Sequence, residues 1–368
     1  MKLSPVWLAG RARAGFDQCV VHTGQHYDAN MSGRFFEELG LPQPDHNLEV
    51  GAGTHAAQTA GIMLRFEPIL DRIRPDWVVV YGDVNSTIAT ALVAVKKGVR
   101  VAHVEAGLRS RDRSMPEEIN RLLTDRVADL LLTPSRDADA NLMAEGVPSD
   151  RIAFVGNVMV DTLLRLRPRA AALDMPGRLG LAREGYAFVT LHRPSNVDRP
   201  EVLRELLEGL EEVAGRIPVV FPMHPRTRER VASFRLGDAA PSVRMVEPLG
   251  YLETVSLVEH AALVITDSGG LQEETTVLGV PCLTARANTE RPITISEGTN
   301  RLIRSTREDL VAATAATLQQ RREGSFAPRR PEGWDGRAGE RVVRELVLAT
   351  APRLEEAGGR LMSTPPVS

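Results

Sequence analysis

The sequence predicts an α/β protein made of two doubly wound parallel sheets that face each other across a cleft. Short apolar runs rich in β-branched residues alternate with helical stretches along the whole chain, which is typical of βαβ units. Runs such as VVVY and LLLT are apolar without alternation, as expected for strands covered on both faces. The alternation stops around residues 166–183 and then starts again, which indicates a second domain.

The first half contains five predicted strands separated by helices. The strands are predicted at residues 18–22, 77–81, 100–104, 130–133 and 152–155. The helices are predicted at residues 33–39, 58–73, 86–97, 116–128 and 135–145. Each strand ends in a turn with Gly, Asp, Ser or Thr before the next helix begins, which is the order of a βαβ unit. The chain itself begins inside a helical pattern, with no strand before it.

The second half repeats this organisation. Its strands are predicted at residues 187–191, 218–221, 243–246, 263–266 and 282–284. Its helices are predicted at residues 201–216, 227–234, 252–260 and 270–279. We assign residues 1–167 to the first domain and residues 168–336 to the second. A last helix, at about 337–355, is expected to pack back on the first domain.

The composition indicates an ordinary globular protein. The chain has 368 residues, of which 25% are charged, and its 45 Lys and Arg against 48 Asp and Glu give a net charge of −3. This balance argues against a nucleic-acid partner, and no apolar run reaches the ~18 residues of a membrane span. We therefore expect a cytoplasmic protein with no membrane partner. Cys19 and Cys282 lie in short apolar runs, where buried free thiols are expected.

Three acidic residues of the first half lie at sheet ends, where open α/β sheets bind ligands. Asp83 follows a strand in YGDVNST, although capping of the next helix explains it about equally well. Glu105 ends a strand in HVEAGLRS, so it either pairs with Arg109 or lies in a site. Glu117 opens a helix and shares a face with Arg121, four residues on, so we expect that the two can form an ion pair. Several neighbouring carboxylates suit general acid–base chemistry.

Histidines, arginines and a glycine turn follow strands in the second half. His192 and Arg193 follow one strand and His224 the next, which favours an anion site, although a single histidine is more often a cap or core group. In TDSGGLQEE a strand ends, Ser-Gly-Gly makes a turn and a helix begins. The free backbone N–H groups of such a helix start can hold a phosphate, although the same turn can be purely structural.

Metal and cofactor signatures are missing from the sequence. It contains no HExxH, no paired CxxC, no GxxxxGK[ST] and no GxGxxG, which are the patterns of common zinc, P-loop and dinucleotide sites. We therefore expect neither a metal nor a resident cofactor.

Six segments together resemble the non-hydrolysing UDP-N-acetylglucosamine 2-epimerases. They are TGQH at 23–26, GDVNST at 82–87, HVEAGLRS at 103–110, PEEINR at 116–121, TDSGGLQEE at 266–274 and TERP at 289–292. The match spans about residues 2–350 in the expected order. The resemblance implies two Rossmann-like domains arranged as in the glycosyltransferase B fold, with UDP in the cleft between them.

The resemblance also implies an activity, which is the reversible conversion of UDP-GlcNAc to UDP-ManNAc for cell-envelope polysaccharides. UDP is lost by anti elimination to give 2-acetamidoglucal and is then added back after protonation at C2. The implied catalytic residues are Lys2, Asp83, Glu105, Glu117, Arg121 and His192. The implied substrate-binding residues are Arg193, His224, Ser268, Gly269, Gly270, Glu274, Arg291 and Asn300. A homodimer is implied as well.

The sequence departs from the family pattern in two places. The family opens with a strand and the motif GTRPEAIK-x-x-P, whereas this chain has only Met1–Pro5, with Lys2 at the motif lysine. We therefore expect the first strand to be missing, through a misassigned start codon or a truncated chain. Gln25 matches one residue of an allosteric glutamine pair, but Asp28 replaces the second. We therefore predict weak or absent activation by substrate.

Four other functions stay open. The segment GAGTHAAQT at 51–59 resembles relatives that act on UDP-2,3-diacetamido-glucuronic acid, so a 2-epimerase of that sugar is the first alternative. The others are a hydrolysing epimerase, a glycosyltransferase with the same architecture and a UDP-sugar-binding protein without activity. The acidic residues fit an elimination better than a glycosyl transfer.

Overall fold

The computed structural model describes residues 1–24, 36 and 38–350. The strands β1 to β12 are Val21–His22, His46–Asn47, Trp77–Tyr81, Arg100–Val104, Leu130–Thr133, Ile152–Phe154, Ala187–Thr190, Val219–Pro222, Arg244–Val246, Leu263–Thr266, Cys282–Ala285 and Asn300–Ile303. The helices α1 to α15 are Leu3–Arg11, His55–Ile73, Asn85–Lys96, Pro116–Val127, Arg136–Ala144, Val158–Ala171, Met175–Arg178, Pro194–Val197, Pro200–Ala214, Pro225–Ser233, Tyr251–Glu259, Gly269–Leu278, Ile293–Ser296, Arg307–Arg322 and Ala338–Thr350.

Most elements lie within a few residues of their predicted positions, and four predicted strands have the predicted bounds. The strand predicted at 18–22 is confirmed only at its end, and the helix predicted at 33–39 falls mostly outside the described residues. Seven elements were not predicted: strands β2 and β12 and helices α6, α7, α8, α13 and α14. Strands β2 and β12 are short and contain polar residues, and the buried face of α14 is built largely from Ala and Thr, which gives a weak hydrophobic period.

The first half contains two separate parallel sheets. One has four strands in the order β3-β4-β5-β6, and the other is the pair β1-β2. Strand β3 pairs with β4 on one side only, and no described strand joins the two sheets. The described residues of the first half therefore form two separate sheets instead of one continuous sheet, in agreement with the predicted fold, in which a strand is missing.

The second half is one six-stranded parallel sheet in the order β12-β11-β10-β7-β8-β9. Strand β7 lies between β10 and β8, so the chain winds outward from β7 in both directions. The crevice at the carboxyl ends of β7 and β10 is the point where such sheets bind ligands.

Helices cover both faces of the four-stranded sheet. Helices α2 and α3 pack on one face, and α1 and α15 pack on the other. Leu131 and Leu132, neighbours in β5, are both completely buried on opposite faces, as the apolar run LLLT predicts. Val342 and Leu346 of α15 pack beside Val6 of α1, so the last described helix lies on the first sheet.

A continuous helix connects the two halves. Helix α6 includes residues 167 and 168, between which the sequence places the domain boundary. Its Val160 and Leu163 pack with Val277 of the second half and with Trp334. The indole of Trp334 donates a hydrogen bond to the carbonyl of Pro134, 3.0 Å away. The connection is therefore a packed helix rather than a loop.

Two further features follow from the fold. No helix among the described residues is long and apolar enough to cross a membrane. Cys282 is buried as predicted, but the prediction for Cys19 is wrong because its side chain is exposed. Its neighbour Val20 is the buried one, since side chains of an extended segment alternate between faces.

Candidate active site

Two loops and one helix bring the acidic residues of the first half together. Asp83 follows β3 and Glu105 follows β4, and these strands are parallel neighbours whose carboxyl ends meet. Helix α4 carries Glu117 in its first turn and Arg121 one turn later. Adjacent strand ends and a helix that begins nearby therefore build this side of the site.

Asp83 forms an ion pair with Arg121, through Oδ2 and Nη2. Its backbone carbonyl also accepts a hydrogen bond from Asn120 Nδ2, at 2.9 Å. Burial alone would raise the pKa of Asp83, but the positive charges of Lys2 and Arg121 outweigh it and hold the pKa below its usual value. Asp83 is therefore a charged acceptor with a fixed position.

Glu105 is a buried carboxylate between two cations. Oε2 pairs with Lys2 Nζ, and Oε1 lies 2.9 Å from Arg291 Nη2. The predicted alternative, a pair with Arg109, is wrong because Arg109 binds Asp125 at 2.7 Å on the far side of the turn. Glu105 also has φ of 74°, a left-handed conformation that non-glycine residues adopt rarely and often at functional sites.

Lys2 joins the carboxylates from the start of α1. Burial lowers the pKa of its amine, but Glu105 and Asp83 outweigh burial and the pKa lies above its usual value. A Cβ atom at Gly82 would lie only 2.6 Å from Lys2 Nζ. The turn before Asp83 therefore needs glycine where the lysine reaches the site.

The neighbouring acids Glu117 and Glu118 have different surroundings. The predicted ion pair between Glu117 and Arg121 is wrong, because Arg121 binds Glu118 at 2.5 Å and also binds Asp83. Glu118 is buried and accepts hydrogen bonds from Ser110 N and Oγ, each at 2.9 Å. Glu117 is half-buried and has no ion pair or hydrogen bond within the described residues. Its carboxylate is therefore unpartnered in this part of the chain.

In the second half, Asp267 holds the segment that carries His192 and Arg193. It is completely buried at the end of β10 and accepts hydrogen bonds from both backbone N–H groups, at 2.9–3.1 Å. His192 Nδ1 lies 3.0 Å from Asp267 Oδ1, which leaves Nε2 on the other edge of the ring. Burial would raise the pKa of Asp267, but His192 and these donors hold it below its usual value.

His224 lies beside His192, with 5.9 Å between the ring centroids. Its Nδ1 accepts a hydrogen bond from Arg226 N at 3.2 Å and caps helix α10. Desolvation lowers the pKa of His224, and the charges of His192 and Arg226 lower it further. A neutral ring that accepts through Nδ1 carries its proton on Nε2. The two histidines therefore form one polar face next to the glycine turn.

The glycine turn starts helix α12, and charged side chains of the TERP segment lie against it. A Cβ atom at Gly269 would lie 2.7 Å from Arg291 Nη1 and 2.9 Å from Glu290 Oε1. Ser268 is the residue before the helix and Gly270 lies in its first turn. Arg193 Nη2 is 3.8 Å from Glu290 Oε1. The predicted phosphate cradle is thus lined by two arginines and by a carboxylate.

Arg291 connects the two clusters across the cleft. Besides Glu105 it binds Glu273, whose Oε1 is 2.8 Å from Nε, and Glu290. Glu290 in turn lies 2.8 Å from Arg286. Burial would raise the pKa of Glu290, but Arg291 and Arg286 lower it strongly. One arginine therefore holds a carboxylate of the first half and two of the second.

Two predicted substrate-binding residues have protein partners of their own. Glu274 is buried and accepts a hydrogen bond from the Tyr251 hydroxyl at 3.0 Å, and burial raises its pKa to about 7. Asn300 is buried in β12, where its Nδ2 donates to Gln272 Oε1 at 3.1 Å and its Oδ1 accepts from Thr284 at 2.6 Å. Asn300 therefore links β12 to β11 and to helix α12 rather than to the charged cluster.

Sequence reasoning missed four charged residues at the site. Asp267, Glu273 and Glu290 belong to the quoted motifs but were given no role, and Arg286 was not singled out. A signal for Asp267 was present, because an acid that ends an apolar strand needs a partner when it is buried. Gln25 and Asp28 of the predicted allosteric site lie outside the described residues.

The arrangement suits acid–base chemistry next to a bound diphosphate. Carboxylates on one side can move protons, while arginines, histidines and a helix N-terminus on the other side can hold negative charge. No group of His, Cys, Asp and Glu side chains among the described residues could hold a metal ion.

The sequence of this chain is similar to those of known sugar-nucleotide epimerases. The family model described as UDP-N-acetylglucosamine 2-epimerase matches residues 9–347. The UDP-N-acetylglucosamine 2-epimerase of Methanocaldococcus jannaschii is 43% identical over 354 residues, which cover 94% of this chain and 95% of that protein. The UDP-2,3-diacetamido-2,3-dideoxy-D-glucuronate 2-epimerase of Pseudomonas aeruginosa is 44% identical over 322 residues, which cover 86% and 89% of the two chains.

The fold is also similar to solved structures of UDP-GlcNAc 2-epimerases. The Methanocaldococcus jannaschii UDP-GlcNAc 2-epimerase in complex with UDP-GlcNAc and UDP superposes with a TM-score of 0.84 at 42% identity, covering 94% of this chain and 96% of that one. The Neisseria meningitidis enzyme bound to UDP-GlcNAc has a TM-score of 0.85 at 26% identity, with the same coverage. The fold is thus the two-domain Rossmann-like architecture of the glycosyltransferase B type. The chain belongs to the UDP-N-acetylglucosamine 2-epimerase family.

Proposed function

We propose that this chain interconverts UDP-GlcNAc and UDP-ManNAc. The observation that carries this proposal is the charged cluster in which Glu105 of the first half meets Arg291 of the second. This cluster places carboxylates beside the arginines and the helix start that can hold a diphosphate. A sugar bound through its diphosphate on one side would present C2 to the carboxylates on the other.

The reaction proceeds by elimination and re-addition. A carboxylate takes the C2 proton, the electrons of that bond form a C1–C2 double bond, and the C1–O bond breaks with its electron pair leaving on UDP. Protonation of 2-acetamidoglucal on the opposite face of C2 and attack of the UDP oxygen on C1 then give the epimer. Arg193, Arg291 and His192 would bind the diphosphate while it is detached, and the N-terminus of α12 would add its positive end.

The three carboxylates have different ion-pair partners, and we assign their roles in the reaction on that basis. Both carboxylate oxygens of Glu105 are occupied by cations, and Asp83 is held by Arg121. Glu117 has no such partner within the described residues. We therefore assign proton transfer at one face of C2 to Glu117. Asp83 and Glu105 serve the opposite face and the charge that develops on the sugar.

Incubation with UDP-GlcNAc in deuterated water tests this function. We expect UDP-ManNAc that carries deuterium at C2, detected by NMR, because the proton lost on elimination is replaced from solvent. Unchanged substrate after long incubation with excess enzyme would contradict the proposal. Free ManNAc and UDP as the final products would identify a hydrolysing epimerase instead.

One alternative substrate has specific support. The relative from Pseudomonas aeruginosa that acts on UDP-2,3-diacetamido-2,3-dideoxy-D-glucuronate is as similar to this chain as the Methanocaldococcus enzyme is. A parallel incubation with that sugar nucleotide decides between the two. If its kcat/KM exceeds that of UDP-GlcNAc by more than about tenfold, or ~1.4 kcal/mol of transition-state binding, the substrate assignment changes while the epimerase chemistry remains.

The cellular location, the oligomeric state and the use of the product are proposed from the family resemblance. We propose a cytoplasmic homodimer whose product supplies cell-envelope polysaccharides. Light scattering of the purified chain tests the dimer, since a monomer at micromolar concentration would contradict it.

A further inference from the structure

His103 is a completely buried histidine that links the two loops of the carboxylate cluster. It lies in β4, two residues before Glu105. Its Nε2 is 2.7 Å from the carbonyl oxygen of Gly82, and its Nδ1 is 2.6 Å from Asp125 Oδ1. Neither the family motifs nor the proposed reaction gives this side chain a role.

Asp125 extends the link to the second loop. Its Oδ2 accepts hydrogen bonds from the backbone N–H of Gly107 at 3.1 Å and from Arg109 Nη1 at 2.7 Å. Burial would raise the pKa of Asp125, but His103 and Arg109 hold it below its usual value. Asp125 is therefore an ionised acceptor that faces His103, Gly107 and Arg109 together.

Both nitrogens of the His103 ring face oxygens that can only accept. A backbone carbonyl has no proton to donate, and neither has an ionised carboxylate. A neutral ring would direct a lone pair at one of these oxygens at less than 2.8 Å. Hydrogen bonds from this ring to both oxygens therefore need a proton on each nitrogen.

The backbone that this link holds is left-handed at three positions. Gly82 has φ of 65°, Glu105 has φ of 74° and Gly107 has φ of 81°. Glycine adopts this region readily, whereas a non-glycine residue such as Glu105 remains there only where its surroundings fix it. Gly82 directly precedes Asp83, and Gly107 follows Glu105 by two residues. The His103–Asp125 pair therefore holds one residue beside each of two proposed catalytic carboxylates.

We propose that His103 is a positioning residue for the epimerisation: the hydrogen bond that it donates to Gly82 fixes Asp83 relative to Glu105, and the one that it donates to Asp125 holds the ring in place. The side chain is buried and acts through the backbone, without contact to the substrate. This inference rests on the proposed function, since it assumes that both carboxylates act on the sugar.

A matched pair of substitutions separates the two hydrogen bonds. In His103→Asn the amide nitrogen can take the place of Nδ1 and keep the bond to Asp125, whereas in His103→Gln it can take the place of Nε2 and keep the bond to Gly82. We expect H103N to lower kcat about 10- to 100-fold, because a displacement of about 1 Å can have that effect. H103Q should retain most of kcat, because its bond to Gly82 still ties the turn before Asp83 to β4, and Asp125 still holds Gly107 and Arg109. The KM and the Kd for UDP should stay within about twofold in both.

Two outcomes of these measurements would overturn the proposal. One is equal kcat in the two variants. The other is a parallel loss of kcat, UDP affinity and melting temperature in both, which would mean that His103 serves the fold alone. Wild-type chain that binds UDP but never epimerises would instead contradict the proposed function, so the two failures can be told apart.

The protonation state of His103 gives a second test that needs no variant activity. In ¹⁵N-histidine-labelled wild-type protein at neutral pH, one ring should show protons on both nitrogens by NMR. Its assignment follows from the loss of that signal in H103Q, or in H103N if H103Q does not fold. A His103 ring with one unprotonated nitrogen would overturn the proposal.

Discussion

At the scale of single residues, two adjacent acids on one helix have different surroundings. Glu117 is half-buried and without a partner in the described part of the chain, whereas Glu118 is buried and holds Ser110, Arg111 and Arg121. The sequence PEEINR cannot distinguish them, because both acids suit the first turn of a helix. Only the structure shows that Glu118 is buried and bonded and that Glu117 is half-buried.

This difference predicts opposite effects of the same substitution. Glu117→Gln should lower kcat by ~100-fold or more, the usual size of a general acid–base contribution, without changing the free energy of unfolding. Glu118→Gln should lower that free energy by about 1–3 kcal/mol, because its amide group would face N–H donors that need an acceptor. Steady-state kinetics and urea unfolding measure the two quantities. Similar kinetic and unfolding changes in both variants would contradict these assignments.

At the scale of elements, helix α4 is the scaffold of the carboxylate cluster. Glu118, Arg121 and Asp125 follow at intervals of three and four and are all buried, so they share one face of the helix. Glu118 holds Ser110 and Arg111, and Asp125 holds Gly107. The loop that follows Glu105 is thus bound to the helix that carries Glu117, which places both acids in one rigid unit.

The turn after β4 should be sensitive to a single methyl group. A Cβ atom on Gly107 would lie 2.5 Å from the carbonyl oxygen of Ala138, whereas one on Gly146, which has a similar φ of 80°, would meet no atom within 4 Å. Gly146→Ala should cost roughly 1–2 kcal/mol from left-handed strain alone. Gly107→Ala should cost about 1–3 kcal/mol more from overpacking and should also lower kcat. Equal melting temperatures of the two variants would contradict this prediction.

At the scale of the whole molecule, long-range contacts join the two halves. Glu105 meets Arg291 across the cleft, Trp334 reaches back to Pro134, and helix α6 connects the two sheets. Asp161 of α6 accepts hydrogen bonds from the N–H groups of Ala338 and Gly339, at 3.1 and 2.8 Å. It therefore caps the last described helix, α15, and fixes it to the first half.

Asp161 should give stability a characteristic pH dependence. Burial raises its pKa to about 6, although the two backbone donors oppose the shift. Because the folded pKa lies above the unfolded one, the folded state binds more protons between about pH 4 and 6, and stability falls as pH rises through this window. The shift of about two units corresponds to roughly 3 kcal/mol. Relative to Asp161→Asn, wild type should lose about that much between pH 4 and 7 in urea unfolding. Parallel stability curves would contradict this.

The sequence by itself determined the class of fold and the family, and it predicted most of the charged residues that the structure brings together. Hydrophobic runs and turn residues act over a few positions, so strands such as 77–81 and 263–266 were predicted with their bounds. Candidate site residues were predicted because ligands bind at strand ends, and Asp83, Glu105 and Ser268 each lie within two residues of the end of a strand. Helices with a weak hydrophobic periodicity, such as Arg307–Arg322, were not predicted, because the prediction depends on the local pattern of apolar residues.

The tertiary structure alone decided which charges meet. Glu105 pairs with Lys2 and Arg291, which are 103 and 186 residues away along the chain, and not with nearby Arg109. Arg121 likewise binds Glu118 and Asp83 instead of Glu117. Ion pairing depends on separation in space, and strand order and helix packing set that separation. A sequence pattern that reports neighbours only along the chain therefore identifies the charged residues but not their partners.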